Sequence, residues 1–104
     1  DPVAEALREL RREYHAESPA RVAELQRGLA ALAAGEDGAE TGLTMLFHRL
    51  AGSGGAYGFP QVSATARELE RLLRSEPHWT PARLAEVRAG IQEIADAFSQ
   101  GGRG

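Results

Sequence analysis

Apolar residues recur at three- and four-residue intervals in five separate segments of this chain, and proline or glycine marks the junctions between them. One apolar stripe per segment at a period near 3.6 is the signature of an amphipathic helix, so a stable fold must bury five helical faces. The first stripe is Val3, Leu7, Leu10 and Tyr14, opened by Pro2 and ending near Ala16. Ser18 and Pro19 then read as an N-cap and first-turn pair ahead of Val22, Leu25, Leu29 and Leu32, a helix running to about Ala34. GEDG at 35–38 is a turn. The third segment, beginning between Ala39 and Leu43, places Leu43, Leu46, Phe47, Leu50, Gly54 and Tyr57 on one side, with Gly58 as its terminating glycine. Pro60 opens a fourth stripe of Val62, Ala66, Leu69 and Leu73. After a connection through Pro77, Thr80 and Pro81 repeat the cap device before Leu84, Val87, Ile91, Ile94 and Phe98.

A chain of 104 residues supports one core. Short connections between four long helices favour antiparallel neighbours. The expected fold is therefore all-α: an antiparallel up-down four-helix bundle over residues 1–100, with an additional short N-terminal helix covering it. GGRG at 101–104 lacks periodicity and reads as a tail or linker.

Composition narrows the chemistry. The formal charge is −3 with both signs interspersed, so the basic stripe of a nucleic-acid binder is missing. There is no cysteine, and the three histidines are far apart, which argues against a metal site. No segment has the length of a membrane span, and a cytoplasmic location is expected.

The stretch LFHRLAGSGGAYGFP, residues 46–60, carries one histidine among several glycines. Each glycine in a helix interior costs about 1 kcal/mol relative to alanine, so their presence needs an offsetting role. At 100° per residue from Leu43, the apolar stripe lies within about 60°, whereas His48 falls at about 140°. Thr44 at about 100°, Ala51 at about 80°, Gly55 at about 120° and Gly52 at about 180° share its side. Gly54 thus points inward for helix packing. Gly52 and Gly55 leave the imidazole clear for a partner. The plainer alternative is a surface histidine beside glycines that only serve packing.

Detail in the motif favours the first reading. HRLAGSGGAYGF resembles the histidine-containing phosphotransfer domain of two-component signalling, through His48, Leu50, Gly52, Gly58 and Phe59, with Leu69-Glu70 on the following helix. The resemblance spans essentially the whole chain. It implies a phosphorelay intermediate that accepts a phosphoryl group on Nε2 of His48 and exchanges it with the aspartate of a response-regulator receiver domain or receives it from a histidine kinase. It also implies a module without kinase activity of its own, no cofactor on this chain, and Mg²⁺ supplied by the receiver.

Neutral imidazole, with an ordinary pKa of about 6.5, offers a nucleophilic nitrogen near neutral pH if the other nitrogen keeps its proton on an acceptor. Glu70, at about 80° from Val62 on the fourth helix, is the candidate acceptor. A solvated glutamate paired with Arg67 or Arg74 is the alternative. Many relatives carry lysine three residues after the histidine, where this chain has Ala51. Positive charge is then expected from Arg49, Arg67, Arg71 or Arg74, which with Thr44, Ala51, Gly52 and Gly55 form the expected partner-binding surface. Ala51 also leaves open a catalytically silent docking module that binds a receiver or kinase without being phosphorylated. As an isolated domain the chain is expected to be monomeric.

Overall fold

The computed structural model describes residues 1–75 and 78–101. Among them the chain is all-helical, without strands: α1 (Pro2–Ala16), α2 (Ser18–Ala33), α3 (Ala39–Ala56), α4 (Pro60–Ser75) and α5 (Pro81–Gly101). The expected connection through Pro77 and the tail beyond Gly101 lie outside the described residues.

The helix ends follow from local chemistry. Asp1 accepts the Val3 N–H at 3.0 Å and caps α1, while Thr80 Oγ1 accepts the Arg83 N–H at 3.2 Å and caps α5. α2 and α3 both close with a left-handed glycine, Gly35 (φ 71°) and Gly58 (φ 84°). After each glycine the next N–H reaches back to a carbonyl five residues earlier, Glu36 to Ala31 at 3.1 Å and Phe59 to Gly54 at 2.7 Å. These are Schellman closures, and they turn the chain sharply enough to lay each following helix back along its predecessor.

Helices α2 to α5 pack as a bundle, α2 on α3 and α5, and α4 on α3 and α5. Core residues Leu43, Phe47, Val62, Leu73, Val87 and Ile94 are essentially inaccessible, as the stripes require. Two glycines outside the histidine motif set close approaches. A Cβ on Gly90 would stand 2.6 Å from Leu69 Cδ1, and one on Gly28 2.9 Å from Leu43 Cδ1. Gly101, assigned to the tail by sequence, is instead the last residue of α5, and a Cβ there would strike the Phe59 ring.

Two expectations for the N-terminal region are corrected. Ser18 is not an N-cap but the buried first residue of α2; Glu17 precedes it in a near-helical conformation (φ −87°, ψ −2°). The Glu17 N–H bonds the Glu13 and Tyr14 carbonyls, and its own carbonyl accepts from Arg21, so hydrogen bonding continues from α1 into α2. A reversal into a helical hairpin needs a loop of a few residues, which this junction lacks. Consequently α1, at 15 residues hardly shorter than α2, extends past the bundle rather than covering it. The molecule is 51 Å long, whereas α5, the longest helix, accounts for about 31 Å. Val3, Leu7 and Leu10 are 68%, 61% and 45% exposed, and only Tyr14 of that stripe is buried.

Tyr14 anchors this junction. Its ring stacks on Tyr57 at 4.6 Å and neighbours Phe59 and Phe98, and its hydroxyl meets Ser53 Oγ at 2.7 Å. Arg21 lies over the same ring at 4.2 Å. His15 donates from Nε2 to the Phe98 carbonyl at 2.8 Å, tying α1 to the end of α5.

The Gly90–Leu69 contact yields a test of the α4–α5 packing. Gly90→Val is expected to lower stability by about 1–3 kcal/mol, measured by urea unfolding. A variant as stable as the parent would show that Leu69 yields without cost.

Candidate functional site around His48

The site is built on the seam between α3 and α4. Gly54 is buried at that seam, and a Cβ there would lie 3.1 Å from Val62 Cγ1 and 3.3 Å from the Ser63 nitrogen. The absence of a side chain therefore lets the two backbones approach closely. Ser63 is itself buried and donates from Oγ to the Ala51 carbonyl at 2.6 Å, a hydrogen bond crossing the same seam. The contacts Gly54–Val62 and Ala51–Ser63 run in opposite chain directions, and about two turns from Gly54–Val62 along both helices the antiparallel pair brings His48 within reach of Glu70.

There the structure brings His48 and Glu70 together. His48 Nδ1 lies 3.0 Å from Glu70 Oε2. The His48 side chain is 61% exposed, whereas that of Glu70 is only 15% exposed. An ionised carboxylate only accepts, so Nδ1 carries the proton in this contact. Nε2 is left without a partner among the described residues and holds the lone pair of the neutral ring. The alternative pairing of Glu70 is also realised: Arg74 donates to the same Oε2 from Nε at 3.0 Å and from Nη2 at 2.8 Å. Glu70 is thereby held below its ordinary 4.5, first by the Arg74 hydrogen bond, against a smaller opposing effect of burial, and further by His48.

The rest of the expected partner surface divides. Gly52 and Gly55 are exposed on α3, and a Cβ on Gly52 would meet nothing within 4 Å, so the ring has open space beside it. Arg67 and Arg71 are exposed on α4 but do not hydrogen-bond the His48–Glu70 pair. Arg49 is exposed toward the other neighbour, lining a groove with Arg21, Glu24 and Leu46 between α2 and α3.

Thr44 and Ala51 are corrections. Both are buried, at 8% and 4% exposure, because α4 packs over the edge of α3 that a bare helical wheel leaves open. The Thr44 hydroxyl is spent on the Glu40 carbonyl at 2.7 Å. Neither side chain is presented to a partner.

Sequence reasoning passed over Ser63 and Met45, and it gave the Glu70–Arg74 pair only as an alternative to the Glu70–His48 contact, whereas both form. Arg74 sits four residues after Glu70, the spacing of a helical ion pair, which is a signal the sequence contains. Met45, three residues before His48 and 40% exposed, adds an apolar element to the same face. Ser63 had no such signal, since its role depends on α3 being adjacent.

The family model for the Hpt domain matches residues 9–97 of the chain. No curated protein and no solved structure matches.

Two measurements test the site's physical description. Gly52→Ala is expected to raise stability by about 1 kcal/mol in urea unfolding, since alanine favours the helix and its methyl meets nothing; a destabilised variant would contradict the open environment. Because Glu70 is held below its ordinary value, its ionised form stabilises the fold above pH 4.5, and this contribution is lost as pH falls through the lowered value. The stability gap between the parent and Glu70→Gln is therefore expected at neutral pH and should close in acid. A gap constant across that range would exclude the ionised pair.

Proposed function

The chain belongs to the Hpt domain family, and from that membership we propose that it is a phosphorelay intermediate with Nε2 of His48 as its phosphoryl acceptor. Domains of this family are phosphotransfer modules that generally lack kinase activity of their own and engage receiver domains or histidine kinases. In this reading α2–α5 form the up-down four-helix unit that presents the histidine, and α1 is an addition to it. The relay partner is a cytoplasmic receiver or kinase. No described helix is long and apolar enough to cross a membrane.

The observation that carries this reading is the His48 Nδ1–Glu70 Oε2 contact of 3.0 Å beneath a largely exposed imidazole. In transfer from a receiver, the Nε2 lone pair attacks the phosphorus of the aspartyl phosphate. The Nε2–P bond forms as the P–O bond to aspartate breaks, and the bonding pair leaves on the aspartate carboxylate. Nδ1 keeps its proton, so the ring becomes cationic, and Glu70 faces that developing charge. Return transfer reverses these bonds. The receiver contributes its acidic pocket and Mg²⁺, and the module contributes a nucleophile of fixed tautomer and orientation in open space.

Incubation with a phosphorylated receiver is expected to place acid-labile label on the protein, and His48→Gln is expected to abolish it. Label retained in His48→Gln would overturn the assignment.

A further inference from the structure

The second contact on Glu70 extends this reading and rests on it. A lone carboxylate against Nδ1 would orient the imidazole, but it would also favour the imidazolium, whose Nε2 is protonated and cannot attack phosphorus. Orientation and nucleophilicity therefore conflict unless the carboxylate's charge is balanced. Arg74 supplies that balance by placing two N–H donors, at 3.0 and 2.8 Å, on the same oxygen that accepts from His48.

We propose that Arg74 is a positioning residue for phosphoryl acceptance: it locks the Glu70 carboxylate in place and offsets its charge, so that His48 is held in the Nδ1–H tautomer without being trapped as imidazolium. The surrounding charges fit this assignment. On α3 the charged neighbour is Arg49, which faces the α2 side with Arg21 and Glu24. On α4 they are Arg67, Glu70, Arg71 and Arg74, of which Glu70 alone touches the ring and Arg74 alone hydrogen-bonds Glu70 among the described residues. α5 packs against the Leu69 edge of α4 through Gly90, away from the imidazole. Arg74 is 57% exposed, so an ion pair there adds little to stability, and its placement matters for the ring it controls.

Arg74→Ala, Arg74→Lys and the double variant Glu70→Gln/Arg74→Ala separate these effects. The His48 ring signal, identified by its loss in His48→Gln, is followed by NMR against pH. Acceptance of phosphoryl from phosphoramidate is measured over the same range as a ratio to the parent, which cancels the donor's own pH dependence. In Arg74→Ala the ring titration is expected to move upward by about half to one pH unit, making acceptance about 3–10-fold slower below the midpoint. Above it the ratio to the parent rises, and the shortfall that remains reads the lost lock on the Glu70 carboxylate. Lysine restores the parent profile in large part, and the double variant loses the upward shift. Superimposable titrations, or a rate ratio independent of pH, would overturn the role of Arg74. A parent protein that takes no phosphoryl group on His48 would instead overturn the functional reading, while the ring titrations still decide whether Arg74 acts on the imidazole.

Discussion

The close approach of α3 and α4 is the constraint on which the site depends. It exists because Gly54 has no side chain to hold the backbones apart, and because Ser63 spends its hydroxyl on the Ala51 carbonyl across the gap. A buried hydrogen bond of this kind contributes about 1 kcal/mol, but it also opposes sliding, since a shift of register takes the buried Ser63 hydroxyl off its acceptor. The pairing of His48 with Glu70 follows from the same antiparallel packing, about two turns along both helices from the Gly54–Val62 contact. Positioning of the imidazole is thus inherited from backbone packing, with no loop involved.

This geometry changes the meaning of Ala51. On an isolated helix it lies on the histidine's side, and the lack of a lysine there looks like missing charge. In the bundle Ala51 is buried under α4, and the cation nearest the pair comes from the neighbouring helix, as Arg74 bound to Glu70. The arrangement is an ordered chain of guanidinium, carboxylate and imidazole, with His48 Nε2 at its outer end. Gly52 on the same exposed face leaves open space beside the ring.

At the opposite end of the seam, Tyr14, Tyr57, Phe59 and Phe98 gather residues from α1, the α3–α4 turn and α5 into one aromatic cluster. Gly58 makes the turn possible by its left-handed backbone, and Gly101 leaves space for the Phe59 ring. The cluster fixes where α1 departs, and beyond it α1 carries its apolar stripe into solvent. Residues 2–8 of that helix also fall outside the family match.

Five helices, their approximate limits, the glycine turns and the side on which His48 emerges were legible because each depends on local spacing and backbone preference. The motif around His48 further identified the family, and the spacing to Glu70 pointed to its partner. Other features are properties of neighbours. Thr44 and Ala51 proved buried because a helical wheel cannot know how widely the adjacent helix covers an edge. Ser18 proved helical because its cap signal competes with a continuous α1–α2 hydrogen-bond ladder. The sequence by itself determined which residues form helices and which histidine stands apart from the core. Only the tertiary structure decided that Ser63 bridges the seam and that Arg74 and His48 share one carboxylate oxygen, because those contacts exist only when two helices meet in a single register.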